Sequence, residues 1–217
     1  MMLPLLIAAV STAVAADEPV KRSGGRLSAA EKSSLQERFR DRCHAMREDH
    51  VWGREDWVFS LENGASLVLN ACNVGAYNPS VLVLLRDADG TFRPASLPSL
   101  SVETGSRKTD GIDHTTVVSA EPAPPRDQIV YPRFDPDSGI LRATSKGRGL
   151  GDSRTDIAWT LDRKTGTFSL LAWMTDHSTD GHFKPACAWP IQAEGPCPGH
   201  ESILTEDESA MAYEGFQ

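Results

Sequence analysis

The chain has 217 residues, of which 30 are Asp or Glu and 22 are Lys or Arg, so its formal net charge is −8. This balance excludes a nucleic-acid-binding protein, whose affinity depends on clustered cations, and a surface that docks on anionic lipid. The last seventeen residues, 201–217, hold five of the acidic side chains and no Lys or Arg, so we expect an acidic mobile tail behind a mildly acidic body.

The N-terminus has the pattern of a secretory signal. Leu3 to Ala15 is a short apolar run with small residues at its end, and we predict cleavage after Ala15 or Ala16. No Lys or Arg precedes the run, which leaves an uncleaved anchor as the alternative, although a spanning helix needs about 20 apolar residues. We therefore predict a signal peptide over residues 1–16, export to the periplasm, and no transmembrane segment after cleavage.

One amphipathic helix is predicted near the start of the mature chain, after a flexible leader over residues 17–27. Ser28 and Glu31 have the spacing of a capping box. Behind them, apolar side chains recur at helical spacing and form one stripe. The stripe consists of Leu35, Phe39, Cys43 and Met46. We take residues 28–200 as a single disulfide-bonded, β-rich domain.

The period of the apolar residues then changes to two, which is typical of strands. Asn63-Gly64 and Asp89-Gly90 separate alternating runs, and Asn-Gly in that context is a strong hairpin signal. The alternation places Trp57 and Trp159 on buried faces. After Pro98 the chain is polar and rich in proline, so we expect irregular structure there. The fold class is mainly β: antiparallel hairpins that form a sandwich or an open barrel, with one N-terminal helix.

Four cysteines in an exported chain predict two disulfides, because an oxidising compartment forms and keeps them. Three pairings are open, and we favour the most local one, Cys43 with Cys72 and Cys187 with Cys197. The alternative is a zinc site that combines Cys187 and Cys197 with His182 and His200, but its spacing is not that of a usual finger.

Residues 145–153 read SKGRGLGDS and form the most unusual motif of the chain. A P-loop would end in Gly-Lys-Ser/Thr and open a helix, and a dinucleotide fingerprint would also precede a helix, whereas strands are predicted on both sides here. The glycines indicate a bulged β corner. The second interpretation is a backbone nest that binds an anion. The predicted contact residues are Lys146, Gly147, Arg148, Gly149, Gly151 and Asp152.

Potential metal ligands lie close together in the segment DHSTDGH, residues 176–182. They are Asp176, His177, Asp180 and His182. No nucleophile elbow of the form G-x-S-x-G is present, and Asp87-x-Asp89-Gly90 lacks the later ligands of a calcium loop. We expect these histidines to be surface loop residues and predict no cofactor.

The stretches NACNVGAYN and KGRGLGD, with the tryptophan strand that follows, resemble a family of bacterial exported proteins, domain of unknown function 1176. The likeness rests on Cys72 followed by Gly75 to Asn78, on Lys146 to Asp152, and on the strand of Trp159. It covers roughly residues 40–190. The resemblance implies an envelope location and a disulfide-bonded domain, and it implies no activity.

The chain departs from that family pattern at two positions. Family members usually have a cysteine after the Gly-Asp, where this chain has Ser153. They also have a Cys-Arg-Gly near the end of the next hairpin, where this chain has residues 176–182 instead. The chain is also shorter than typical members. If the two missing cysteines normally pair, their joint loss avoids a lone reactive thiol.

We therefore predict a non-catalytic binding or accessory module of the envelope, which includes the case of an inhibitor or immunity protein. Its partner would be an envelope protein or a small anionic ligand, contacted through the basic glycine-rich loop. The alternative function is a metal-assisted hydrolase that uses the cluster in residues 176–182.

Overall fold

The computed structural model describes residues 25–43, 56–73, 78–109, 112–147, 153–178, 185–190 and 197–198. Helix α1 spans Ala29–Arg38. The strands follow in chain order: β1 Trp57–Ser60, β2 Ser66–Asn73, β3 Ser80–Arg86, β4 Phe92–Pro94, β5 Leu97–Thr109, β6 Ile112–Arg126, β7 Gln128–Val130, β8 Arg133–Asp135, β9 Ile140–Lys146, β10 Arg154–Asp162, β11 Thr167–Asp176 and β12 Ala186–Trp189.

The strands form two five-stranded antiparallel sheets and one two-stranded arm. The first sheet has the order β1-β2-β3-β4, with β7 also paired to β3, and the second has the order β12-β11-β10-β9-β8. The arm consists of β5 and β6. Neither sheet closes on itself among the described strands, so the predicted mainly β fold is confirmed in its sandwich form.

The inner faces of the two sheets share the main hydrophobic core. Trp159 is fully buried there, whereas Trp57 is half-buried at the margin. The first sheet contributes Phe59, Leu67, Leu69, Val81, Val83 and Leu85, and the second contributes Leu141, Ala143, Ile157, Phe168 and Trp173. Alternation along each strand places one side-chain set in this core, as the period of two predicts.

Helix α1 covers the outer face of the first sheet. The capping box is present, because the backbone N–H of Glu31 donates to Ser28 Oγ and the Glu31 carboxylate accepts from the Ser28 N–H. Leu35 and Phe39 are buried against this sheet. The helix ends at Arg38, earlier than the predicted stripe, whose last member Met46 lies outside the described residues. The first disulfide, Cys43–Cys72, then ties the chain to β2.

The second disulfide, Cys187–Cys197, covers the outer face of the second sheet. Both bonds are those of the favoured pairing, and the described residues include no free cysteine. Two disulfides are typical of proteins outside the reducing cytoplasm. Across the described ranges, no helix has the length and apolar character needed to cross a membrane.

The expectation of irregular structure after Pro98 is wrong. Strands β5 and β6 form the longest antiparallel pair among the described residues, with Leu97 opposite Arg126 and Thr109 opposite Ile112. Among the described strands, β5 and β6 pair only with each other, so each has an outer edge where a proline removes no ladder hydrogen bond. The first core residue of the arm, Leu97, is fully buried, and the Trp159 indole donates to the carbonyl of Pro98 at 2.8 Å.

Candidate functional site

The base of the glycine loop joins two stretches that are 68 residues apart. The side-chain amide of Asn78 accepts from the Lys146 N–H and donates to the Lys146 C=O, both at 2.8 Å. The next N–H, that of Gly147, instead donates to Ser153 across the β9–β10 pair. The N–H and C=O groups of successive residues in a strand point to opposite edges of that strand. Asn78 therefore binds the edge of β9 that faces away from β10, beyond Arg142, where the pairing with β8 has ended. The N–H and C=O of Lys146 are therefore both bonded to Asn78 on one edge of β9, and the adjacent Gly147 N–H is bonded to Ser153 on the other edge.

The Lys146 side chain is half-buried and lies beside a second cation. Its register partner across the sheet is Arg154, and its ammonium is 5.1 Å from the centroid of the Tyr131 ring. Burial lowers the pKa of Lys146, the positive charge of Arg154 lowers it further, and Asp156 opposes both. None of the ion pairs between described residues includes Lys146.

Arg154 is paired with a buried carboxylate. Its Nε lies 2.8 Å from Oδ2 of Asp156, whose side chain is only 3% exposed. The Thr144 hydroxyl donates to the other Asp156 oxygen at 2.6 Å. Burial nevertheless raises the pKa of Asp156, because desolvation outweighs the charge of Arg154 and the hydrogen bond from Thr144. Asp156 therefore contacts Arg154 directly, and it acts on Lys146 through the electrostatic attraction between their charges.

Gly147 is required by a close approach of the two strands. Its N–H donates to the Ser153 carbonyl at 2.6 Å, and a Cβ at this position would lie 2.6 Å from Ser153 Oγ. The bulged corner expected from the sequence stays a prediction, because its other glycines, Gly149 and Gly151, are outside the described residues. The other predicted contact residues lie outside the described residues, so the anion nest stays a prediction. They are Arg148, Gly149, Gly151 and Asp152.

Two of the four potential metal ligands are described, and both take part in hydrogen bonds within the protein. Asp176 is fully buried and accepts from the Thr115 hydroxyl and from the Ser178 N–H, each at 2.8 Å. The Thr115 hydroxyl also accepts from the His177 N–H at 2.9 Å. These contacts attach the β5–β6 arm to the end of β11.

The His177 ring is exposed and lies between two hydroxyls. Its Nδ1 is 3.1 Å from Thr104 Oγ1 and its Nε2 is 3.0 Å from Thr175 Oγ1. The remaining two members of the set, Asp180 and His182, are outside the described residues. In the part of the chain that the structure describes, no three His, Cys, Asp or Glu side chains come together as a metal site requires.

The sequence pattern did not single out Asn78, Tyr131, Arg154 or Asp156 as members of this site. A weak signal existed for Asn78, since it closes the Gly-Ala-Tyr-Asn stretch. Another existed for Asp156, a charged residue inside an otherwise alternating strand. The register also brings Ser153 to the end of β11, because Arg154 is opposite Asp176.

Comparison with known proteins gives a match over most of the chain. A family model described as "Protein of unknown function (DUF1176)" matches residues 6–192. No curated protein and no solved structure matches the chain.

Proposed function

The chain belongs to the DUF1176 family of proteins of unknown function, and we propose that it is a non-catalytic binding or accessory module of the bacterial envelope, which includes the case of an inhibitor or immunity protein. Its contact surface is the basic glycine-rich loop, defined as residues 146–152. We propose that this loop binds an acidic side chain of an envelope protein or, through the same ionic contact, a small anionic ligand.

The observation that carries this proposal is the position of Lys146. Its backbone is held by Asn78, and its ammonium has an aromatic ring on one side and no carboxylate partner among the described residues. A cation that is already ordered loses less conformational entropy when it binds an anion. A partner carboxylate would also supply the opposite charge that the ammonium lacks.

The neighbouring Arg154 supports the same interpretation. Asp156, which is almost completely buried, lies 2.8 Å from Nε of Arg154, and Arg154 is the register partner of Lys146, so this site holds two cations and one carboxylate. Arg148 follows Lys146 by two positions, and we propose that it extends the same surface. Opposite charges of this kind at an interface contribute to association rate and to specificity.

A location outside the cytoplasm is supported by the two disulfides. With the apolar run over residues 3–15, they favour a periplasmic protein whose signal peptide is residues 1–16. The non-catalytic role is supported by Asp176 and His177, since the carboxylate and the ring nitrogens of these residues are engaged by hydroxyls and a backbone N–H.

The test is partner capture from a periplasmic extract with immobilised protein, followed by binding measurements on the purified partner. Lys146→Ala with Arg148→Ala should abolish capture and leave the melting temperature unchanged, because the backbone bonds of Lys146 do not depend on its side chain. The matched control removes the same two charges from the exposed end of β5, as Arg107→Ala with Lys108→Ala, and should capture normally.

The dependence of binding affinity on salt concentration gives a second test of this contact. Binding between charged surface groups weakens when the ionic strength rises, so the affinity of the native protein and of the control should fall with salt. Capture that survives the loss of both Lys146 and Arg148 would contradict the proposed surface. Loss of capture in the control as well would show that general charge, and not this loop, is responsible.

A further inference from the structure

Arg126, the last residue of β6, is a half-buried cation whose partners among the described residues are all neutral. Its Nε and Nη2 lie 3.0 and 2.6 Å from the Ser99 hydroxyl oxygen. Its guanidinium carbon lies 4.9 Å from the centroid of the Trp173 ring. None of the ion pairs between described residues includes Arg126.

This environment is unfavourable for a charge that cannot be removed. Burial lowers the pKa of Arg126, and no opposite charge counteracts that effect. An arginine nevertheless stays protonated in proteins, since its ordinary pKa lies far above the physiological pH range. The carboxylate of the next residue, Asp127, does not neutralise the charge of Arg126, because its Oδ1 is paired with Nη2 of Arg42 at 2.6 Å.

The groups around Arg126 are fixed by the sandwich. Ser99 belongs to β5 and is 7% exposed, and Trp173 belongs to β11 and is 6% exposed. The guanidinium is therefore stacked on a buried aromatic face, which is a favourable geometry for a cation. Its five N–H donors form a planar fork, and the contacts to Ser99 use one edge of that fork.

We propose that Arg126, Ser99 and Trp173 form an oxyanion-binding site that takes a carboxylate or a phosphate group. The guanidinium edge that does not contact Ser99 binds two oxygens of the anion side by side, the arrangement that arginine prefers. The anion supplies the negative charge that would neutralise the half-buried guanidinium. This site is built from other residues than the glycine-rich loop, so it stands or fails independently of the proposed function.

The test follows the Nε–H resonance of Arg126 by nuclear magnetic resonance in the full mature protein. Sodium acetate, inorganic phosphate and sodium chloride are titrated separately at equal ionic strength. We expect a saturable shift with acetate, with phosphate or with both, and none with chloride, with a dissociation constant in the millimolar range for a single oxyanion contact. Acetate and phosphate are separate arms, so the response also identifies which group fits.

Three variants complete the test by isothermal titration calorimetry with the same anions. Arg126→Gln should weaken binding at least about tenfold, or 1.4 kcal/mol, and Arg126→Lys should weaken it less, because it keeps the charge and loses the fork. Ser99→Ala should weaken binding less than Arg126→Gln, because the guanidinium loses the hydroxyl that positions it but keeps the edge that takes the anion. A native protein without a saturable, anion-specific response would overturn the site, as would unchanged binding in Arg126→Gln.

Discussion

The side chain of Asn78 and the backbone of Lys146 are joined by two hydrogen bonds of 2.8 Å, although the residues lie 68 positions apart. Asn78 precedes β3 of the first sheet, and Lys146 ends β9 of the second. The amide therefore connects the two sheets where the glycine-rich loop begins. Both bonds go to backbone atoms, so the Lys146 side chain stays available for a ligand.

Asn78→Ala should destabilise the protein and loosen the start of the loop. The variant leaves the N–H and the C=O of Lys146 without their partner, and we expect the free energy of unfolding to fall by about 1–3 kcal/mol. Urea unfolding measures that change, and hydrogen exchange at the Gly147 amide measures the loosening. Ser169→Ala, at an exposed strand position, is the control and should be neutral. Unchanged stability and exchange in Asn78→Ala would contradict the role of this amide.

Gly147→Ala should be costly because the new methyl group meets Ser153. The Cβ would lie 2.6 Å from Ser153 Oγ and 3.2 Å from its carbonyl oxygen, and such overpacking typically costs about 1–3 kcal/mol. Adding Ser153→Ala removes the nearest atom and should recover part of the loss in urea unfolding. Gly25→Ala is the matched control, since nothing lies within 4 Å of its Cβ. Equal stability of the two glycine variants would refute the close approach.

Asp156 should make the native protein lose stability as the pH rises. Its folded-state pKa is raised above the ordinary 3.8. At pH values between 3.8 and the raised pKa, the folded state therefore binds more protons than the unfolded state. The linkage relation then makes the free energy of unfolding decrease from about pH 4 upward. Asp156→Asn lacks this dependence because its amide does not titrate, and it should be less stable at pH 4 because an NH2 group replaces an oxygen that accepts a hydrogen bond from Arg154 or Thr144.

The measurement compares urea unfolding of the native protein and Asp156→Asn between pH 4 and pH 7, a range where other carboxylates contribute equally to both. The deficit of Asp156→Asn should shrink as the pH rises. A deficit that grows with pH would mean that the attraction to Arg154 outweighs burial, so that the pKa of Asp156 is lowered and not raised.

Native mass spectrometry of the protein purified from the periplasm should show a mature N-terminus near Asp17 and no bound metal. A denatured sample alkylated without reduction should carry no label, because all four cysteines are paired. We predict the removal of residues 1–16 from the small residues Ala15 and Ala16 that end the apolar run. A retained stoichiometric zinc with alkylated cysteines would instead favour the metal-assisted hydrolase, and an intact N-terminus would favour the uncleaved anchor.

The features that the sequence predicted well depend on neighbouring residues. The capping box of Ser28 and Glu31 spans three positions. The turn at Asn63-Gly64 works because Gly64 adopts a φ of +75°, which glycine accepts without strain. The β5–β6 arm was missed because much of it is exposed on both faces, so its strands lack the apolar alternation that identifies a strand.

By itself, the sequence determined the helix start, the hairpins, the sandwich-forming alternation and the local disulfide pairing, because each depends on residue type and short spacing. The tertiary structure alone decided that Asn78 holds Lys146, that Asp156 lies buried beside Arg154, and that Arg126 stacks on Trp173. Those relationships follow from strand register and sheet packing. Side chains far apart in the chain acquire a common environment only when the two sheets pack together.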